Sequence, residues 1–212
     1  MKTALALVLL MFVSACGSLL PKPPPAPSFY ALTGTAAGGS ATAAAATTAA
    51  SATVNRPTLV VNPPQAAAGY DSARIIYIRQ PHQLQYFAQS EWVDTPARML
   101  APLLVAALSG SGTFKAVVTS PSAAAAELRL DTEIVRLQQD FDAAGGSAVQ
   151  FTLRATVVDN VTRKVRGTRE FDARVTAGSD AYSGVLAAND AVKNLLAQLT
   201  SFCVAAAAAT SN

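Results

Sequence analysis

The feature that most constrains the fold is an alternation of apolar and polar residues between Glu127 and Val175. From Val149 to Val157 every second side chain is apolar, and those between are Gln, Thr or Arg. A period of two places successive side chains on opposite faces of a strand. Turn sequences at 143–146 and 159–163 interrupt the pattern, which predicts an antiparallel meander with one buried and one polar face. A break in the alternation at Val135 predicts either a β-bulge or a strand buried on both faces.

Two amphipathic helices are predicted to accompany this sheet. The first opens at Thr95, a good capping residue, followed by Pro96, which suits the first helical turn. Its apolar residues recur at spacings of three and four as far as Leu108, and Gly110 ends it. The second helix is predicted from about Asp180 to Phe202, with an apolar stripe along one side.

The remaining elements are short strands, and together with the helices they define the fold class. The predicted fold is α+β: a single domain with a mixed, mostly antiparallel sheet and two main helices packed on it. We place this domain at residues 54–204 and treat the end of the chain, 205–212, as a flexible tail. The short strands are predicted at Thr58–Val61, Ala73–Ile78, Leu84–Ala88 and Phe114–Val118, the second and third of them forming a hairpin.

The first fifteen residues have the pattern of a bacterial signal peptide. Lys2 precedes an unbroken apolar run from Ala4 to Phe12, which is too short to span a bilayer at about 20 residues. The next four residues, Val13 to Cys16, resemble a lipobox. This resemblance places cleavage between Ala15 and Cys16 and puts a diacylglycerol thioether and an N-acyl chain, such as palmitate, on Cys16.

Residues 16–53 are predicted to form a lipid-anchored, low-complexity tether ahead of the domain. Pro21–Pro27 favours an extended polyproline spacer. Thr33–Thr53 contains only Ala, Thr, Gly and Ser, which cannot bury enough surface to offset the entropy of ordering. With Cys16 acylated, Cys203 has no partner in the mature chain, so we expect a small buried thiol; a reactive thiol or an intermolecular disulfide is the alternative.

The sequence contains no recognisable catalytic set. His82 is the single histidine and falls in a polar turn beside Pro81, where a triad would need it held rigidly. Neither a Cys/His cluster with zinc spacing nor a Walker loop or dinucleotide fingerprint is present in the sequence. The net charge of +3 is too small to indicate nucleic-acid binding. We therefore expect neither catalysis nor a metal, nor any cofactor beyond the lipid on Cys16.

Two surfaces remain as candidates for binding. Tyr77, Tyr86 and Trp92 fall in the densest aromatic stretch of a chain that is only 7% aromatic. They indicate either packing at a sheet–helix junction or an exposed patch for a protein partner, since Tyr and Trp are enriched in binding hot spots. The polar face of the meander mixes arginines with carboxylates, which indicates a solvated face or contact with anionic lipid headgroups.

Several short motifs then resemble one known family. Tyr70–Tyr77 (YDSARIIY), Tyr86 with Trp92, Ser28–Leu32 and Gly112–Phe114 are similar to segments of the ABC-type transport auxiliary lipoprotein family, the PqiC-like group. Pro96, Met99, Leu100 and Leu103 on the first predicted helix are also similar to that family's pattern. The resemblance covers the chain from Cys16 to the last helix.

This resemblance implies a role in transport across the cell envelope. Such lipoproteins accompany an MCE-domain protein, a permease and an ATPase that move phospholipids or other hydrophobic molecules. The chain would be the non-catalytic, lipid-anchored component facing the periplasm, with a homo-oligomer as one arrangement. Gly17, rather than Asp, follows Cys16 and favours the outer membrane over the inner one. A scaffold lipoprotein of lipopolysaccharide-export or pilus type, or a periplasmic hydrolase, are the alternatives.

Overall fold

The computed structural model describes residues 26–34, 56–142 and 145–208. The predicted signal peptide, Cys16 and most of the Ala/Thr stretch lie outside those ranges. The described part of the chain contains two helices, which we number α1 (Pro96–Gly110) and α2 (Ala181–Ala208). It also contains nine strands: β1 (Ser28–Tyr30), β2 (Thr58–Val61), β3 (Gln65–Ala66), β4 (Arg74–Ile78), β5 (Leu84–Trp92), β6 (Ala116–Thr119), β7 (Leu128–Phe141), β8 (Ser147–Asp159) and β9 (Val165–Ala177).

The long strand β7 organises the sheet. One of its edges pairs with the whole of β8 in antiparallel register, and β8 pairs in the same way with β9. Its other edge pairs in succession with β2, β3 and β4, all parallel to it. β6 extends the sheet beyond β2, while β5 and β1 extend it beyond β4. A register shift between Ile134 and Arg136 confirms the predicted bulge at Val135.

The apolar face of the sheet and the two helices enclose one core. Phe151 and Leu153 of β8 are fully buried, as are Leu104 of α1 and Leu199 of α2. The length and apolar composition of α2 would allow it to cross a membrane, but its buried side packs on β8 and β9. We therefore assign α2 to the core.

The predicted α+β class, the β4–β5 hairpin and the start of α1 at Pro96 are confirmed.

The N-terminal boundary of the domain differs from the prediction. β1 pairs parallel to the end of β5, with Tyr30 opposite Trp92, and Leu32 is buried in the core. Residues 28–34 therefore belong to the sheet domain and not to a tether that ends at residue 53. Parallel pairing over three residues between segments far apart in sequence leaves no periodic pattern, so the sequence could not reveal it.

Asn189 of α2 holds this N-terminal segment in place. Its Oδ1 accepts hydrogen bonds from the backbone N–H groups of Thr33 (2.6 Å) and Gly34 (3.2 Å). Its Nδ2 donates to the carbonyl oxygens of Ala31 (3.3 Å) and Val185 (3.0 Å). A buried amide that bonds two elements in this way fixes the direction in which the chain enters the sheet.

We expect Asn189→Ala to loosen residues 31–34 while the rest of the domain stays folded. Leaving buried backbone groups without this partner costs about 1–3 kcal/mol, so amide hydrogen exchange in residues 28–34 should accelerate roughly tenfold or more. Asn194→Ala is the matched control, because Asn194 is exposed on the same helix. Equal exchange in both variants would contradict the role given to Asn189.

The C-terminal boundary also differs from the prediction. α2 continues to Ala208, and Ala206 and Ala207 are buried, so residues 205–208 are not a flexible tail. Alanine has the highest helix propensity, and here it also packs in the core. Cys203 is a buried free thiol, as expected, and burial raises its pKa to about 12.

The turn between β8 and β9 is built around Asp159. Its Oδ1 accepts hydrogen bonds from the backbone N–H groups of Val161 (3.0 Å) and Thr162 (2.7 Å), and its Oδ2 pairs with the guanidinium of Arg166. The backbone bond from Thr162 and the contact with Arg166 hold the pKa of Asp159 well below its ordinary value of 3.8. The charged form of Asp159 is therefore more stable in the folded chain than in the unfolded one.

This depressed pKa predicts a loss of stability in acid. A carboxyl group whose folded pKa is lowered contributes stability above its unfolded value, and the contribution disappears as pH falls below about 4. Urea unfolding between pH 6 and pH 2.5 should show the decline, and Asp159→Asn should flatten it. Some decline should remain, because hydrogen bonds from Ser183 also lower the pKa of Asp180. A slope unchanged in Asp159→Asn would contradict this assignment.

Candidate partner-binding surface

The structure separates the three aromatic residues that the sequence grouped as partner-binding. Trp92 is only 4% exposed and lies in the core, so of the two alternatives core packing holds for this residue and the exposed patch does not. It is the last residue of β5, which extends four residues beyond the predicted strand, and it lies beside Tyr30 of β1. Tyr86 is 41% exposed, and Tyr77 is half-buried. Only these two remain available to a partner.

Tyr77 is the centre of an aromatic cluster that the sequence did not reveal. Its ring centroid lies 4.7 Å from that of Phe87 and 5.9 Å from that of Phe141, the latter in an edge-to-face arrangement. The guanidinium carbon of Arg79 lies 5.5 Å from the centroid of Tyr77 and 5.0 Å from that of Phe141. β4, β5 and the end of β7 together supply these groups, so the cluster depends on the tertiary fold.

Tyr86 lies on the opposite face of the same hairpin. It pairs with Ile76 in register, and the alternation of side chains along a strand then directs Tyr86 and Tyr77 to different faces. The guanidinium carbon of Arg74 lies 5.2 Å from the Tyr86 ring centroid. Each face of the hairpin thus carries an arginine over a tyrosine ring. We call these four residues, together with the exposed Leu84, the hairpin surface.

The two arginines of the hairpin surface differ from those of the meander. In the described part of the chain, no carboxylate lies within ion-pair distance of Arg74 or Arg79. Each of the two guanidinium groups instead lies over the face of an aromatic ring. A cation and an aromatic ring without a competing carboxylate can both turn to an incoming partner at little cost.

The polar face of β7–β9, by contrast, carries several arginine–carboxylate ion pairs. Arg154 lies between Glu133 of β7 (2.8 Å) and Glu170 of β9 (3.0 Å). The other three arginines singled out from the sequence, Arg129, Arg166 and Arg174, each lie within ion-pair distance of an aspartate. An anionic headgroup would have to displace these carboxylates, so the arrangement favours a solvated face over a lipid-binding one.

The remaining sequence candidates do not form a reaction centre. His82 lies in the exposed β4–β5 loop with a φ of 68°, a left-handed conformation in which His is over-represented among residues other than glycine. Among residues 26–34, 56–142 and 145–208, no group of three His, Cys, Asp or Glu side chains could hold a metal ion. A small cleft lined by Trp92, Gln139 and Gly184 has room for about one water molecule.

Fold and surface together define an α+β domain whose β4–β5 hairpin carries an arginine and a tyrosine on each face. The sequence profile of the ABC-type transport auxiliary lipoprotein component family matches residues 40–200. The chain therefore belongs to this family, whose members are auxiliary to transport. No curated protein matches the chain.

Solved structures show the same fold at low identity. Protein XCC0632 from Xanthomonas campestris is 22% identical with a TM-score of 0.67, and the match covers 73% of this chain and 88% of that one. An uncharacterized protein is 15% identical with a TM-score of 0.58, covering 85% and 98%. A minor lipoprotein from Acinetobacter baumannii is 12% identical with a TM-score of 0.41, covering 72% and 95%. At these identities the first two matches bear on the fold alone, and the third is too distant to bear on it.

Proposed function

We propose that this chain is the non-catalytic, lipid-anchored component of an MCE/ABC-type system that moves phospholipids or other hydrophobic molecules across the cell envelope. Family membership supports the auxiliary role in transport. The observation that carries the docking role is the hairpin surface, where Arg74 and Arg79 lie over tyrosine rings without carboxylate partners. Tyrosine and arginine are two of the residue types that dominate protein-binding hot spots.

The proposed partner is the MCE-domain protein, which in turn links the chain to a permease and an ATPase. A half-buried tyrosine such as Tyr77 is held rigid by its neighbours, so it loses little conformational entropy on binding. Tyr86 and Leu84 are exposed and offer the apolar area that a partner would remove from water. The hairpin would thus offer a rigid tyrosine on one face and a more exposed apolar area on the other.

The anchor in this proposal is the lipid on Cys16, after cleavage behind Ala15. The domain would face the periplasm, and Gly17 after the lipidated residue favours the outer membrane. Stable attachment requires at least two acyl chains, since a single chain binds a bilayer only marginally. A fully modified Cys16 carries three chains and would not exchange between membranes.

The main competing function is a scaffold role in another envelope assembly, of lipopolysaccharide-export or pilus type. It shares the anchor and the docking hairpin and differs only in the partner. A periplasmic hydrolase is disfavoured, because His82, the single histidine, is exposed in a loop and not held in a cleft. Membership of a transport-auxiliary family also favours the first function over both.

The hairpin surface predicts a specific loss of partner binding. We expect Tyr86→Ala to reduce the amount of MCE-domain protein that co-purifies with the intact lipoprotein from detergent-solubilised envelopes. A hot-spot tyrosine contributes about 2 kcal/mol, which corresponds to roughly 30-fold in affinity. Val161→Ala is the control, because Val161 is exposed in the β8–β9 turn, away from the hairpin.

Two results would count against this proposal. Equal recovery of the MCE-domain protein with Tyr86→Ala and Val161→Ala would remove the hairpin as the docking site. Recovery of another envelope assembly, with no MCE-domain protein from wild-type cells, would favour the scaffold function instead.

A further inference from the structure

The position of β1 changes the distance between the proposed lipid and the domain. Ser28 is already in the sheet, so only twelve residue steps separate it from Cys16. A chain of this length spans at most about 40 Å even when fully extended. The Ala/Thr stretch, Thr33–Thr53, follows β1 and precedes β2 in chain order, so it adds nothing to this reach. The domain is therefore confined near the membrane that holds it.

The surface at which the chain enters the domain is unusually apolar. Phe29 of β1 is 60% exposed, and Val93, which donates its backbone N–H to the carbonyl oxygen of Tyr30 (2.8 Å), is also exposed. Tyr182 of α2 is 54% exposed, and its ring centroid lies 6.1 Å from that of Tyr30. Leu186, one helical turn further along α2, is exposed as well. We call Phe29, Tyr30, Val93, Tyr182 and Leu186 the entry surface.

The entry surface differs in chemistry from both surfaces described above. The hairpin surface combines arginine with tyrosine, and the open face of β7–β9 is lined with ion pairs. The entry surface consists of two tyrosines, a phenylalanine and two aliphatic residues drawn from β1, α2 and the end of β5. Phe29 lies on the opposite face of β1 from Tyr30, so these apolar groups flank the outer edge of the sheet. Exposed apolar groups gathered in this way on a monomer mark a site of contact. Tyrosine is favoured where an apolar body meets lipid tails and a polar tip meets water.

We propose that the entry surface rests on the bilayer that holds the lipid anchor, with Phe29 and Tyr182 in the interfacial region. This inference depends on the proposed acylation of Cys16 and goes beyond it, because it specifies which side of the domain faces the lipid. The short connection keeps the surface at a high effective concentration next to the bilayer, so weak contacts suffice to orient the domain. Asn189 bonds Ala31, Thr33 and Gly34 to α2, so the segment that directly follows Phe29 is fixed to the helix that carries Tyr182.

Spin labels can report this orientation on the full-length, lipidated protein. We would place single cysteines at Phe29, Val93 and Tyr182, with Val161→Cys as the control. Val161 is 75% exposed and lies at the opposite end of β7 from the start of α2. Its turn follows Asp159, which pairs with Leu128 at the beginning of β7. The start of α2 lies near Ser147, which pairs with Phe141 at the end of β7. Cys203 will not compete for the label, because it is buried and its pKa is raised to about 12.

The labelled proteins would be reconstituted in vesicles of phosphatidylethanolamine with a minor share of phosphatidylglycerol. Collision rates with oxygen, which concentrates in lipid, are then compared with those of a water-soluble nickel chelate. We expect an oxygen-to-nickel ratio several-fold higher at positions 29, 93 and 182 than at 161. Measuring three positions keeps the test decisive if one substitution disturbs the fold.

Three outcomes would overturn the proposal, and they differ from a failure of the anchor. In the first, the protein floats with the vesicles, but the oxygen-to-nickel ratio at positions 29, 93 and 182 equals that at position 161. The lipid anchor would then stand, and the entry surface would not contact the bilayer. Spin–spin broadening between copies at those positions would show that a second copy covers the surface. Exclusion of both reagents without broadening would show that another part of the chain covers it. Protein that does not float with vesicles at all would refute the lipid anchor itself.

Discussion

Replacing Cys16 by serine is expected to move the whole protein from the membrane fraction to the soluble fraction. A thioether-linked diacylglycerol and an N-acyl chain each stabilise membrane attachment by about 0.8 kcal/mol per buried methylene. Serine cannot form the thioether, so both steps of lipidation fail. The entry surface alone offers only a few side chains, which cannot replace three acyl chains.

The measurement is fractionation of envelopes, with the mass of the purified protein as the second readout. Wild type should be heavier than the chain starting at Cys16 by the mass of three acyl chains and a glyceryl group. Cys203→Ser is the control, because Cys203 is buried and we assign it no lipid. A Cys16→Ser protein that stays in the membrane fraction would show that another segment holds it there.

Replacing Gly184 by alanine is expected to destabilise the domain by about 2–4 kcal/mol. The sign is opposite to the usual effect, since Gly→Ala within a helix normally stabilises it by up to about 1 kcal/mol. A Cβ at position 184 would overlap Oε1 of Gln139 and lie 3.0 Å from its Cδ. Gln139 cannot simply move away, because its Nε2 donates to Ser147 Oγ (2.9 Å) and to the carbonyl oxygen of Gly178 (2.8 Å).

The close approach at Gly184 also explains why Gln139 Oε1 has no hydrogen-bond partner among the described residues. Glycine lets α2 lie directly against this buried amide. Urea unfolding followed by Trp92, the single tryptophan of the chain and a neighbour of Gln139 in the cleft, would report the loss. Gly110→Ala is the matched control, since a Cβ at the end of α1 meets nothing within 4 Å.

A double variant makes this test sharper. Combining Gly184→Ala with Gln139→Ala should recover part of the loss, because the obstructing side chain is removed together with its donors. Additive losses in the double variant would show that Gly184 is needed for some other reason. A stabilised Gly184→Ala protein would contradict the described packing of α2 on β7.

Much of the fold could be predicted because its signals are local. The alternation along β8 predicts a strand with one buried face, and the break at Val135 predicts a bulge as one of two alternatives, which the register shift then favours. Pro96 marks the start of α1 through first-turn geometry, while Thr95 occupies the N-cap position without a side-chain capping hydrogen bond. These features depend on neighbouring residues only, so a single sequence contains them.

The rest could not be predicted because its causes are distant in the chain. β1 is a strand only because β5 lies beside it, and three residues carry no period. Ala205–Ala208 looks like a low-complexity tail, yet its burial extends α2. Trp92 looked like an anchor for a partner, but a longer β5 carries it into the core.

The candidate site was predicted only in part for the same reason. Tyr77 and Tyr86 were identified from the local density of aromatic residues. Arg74 and Arg79 could not be identified in this way, because only the fold places their guanidinium groups over aromatic rings. Phe141 joins the cluster from more than fifty residues away in sequence, which no local pattern could indicate.

The central claim is that this lipoprotein serves an MCE-type transport system through its hairpin surface. Photo-crosslinking in intact cells tests it most directly, with a photoreactive amino acid placed at Tyr86 in one strain and at Val161 in another. The account predicts that mass spectrometry finds an MCE-domain protein joined to position 86 and not to position 161. Crosslinks from position 86 solely to components of another envelope assembly would contradict the transport function while leaving the fold and the family unchanged.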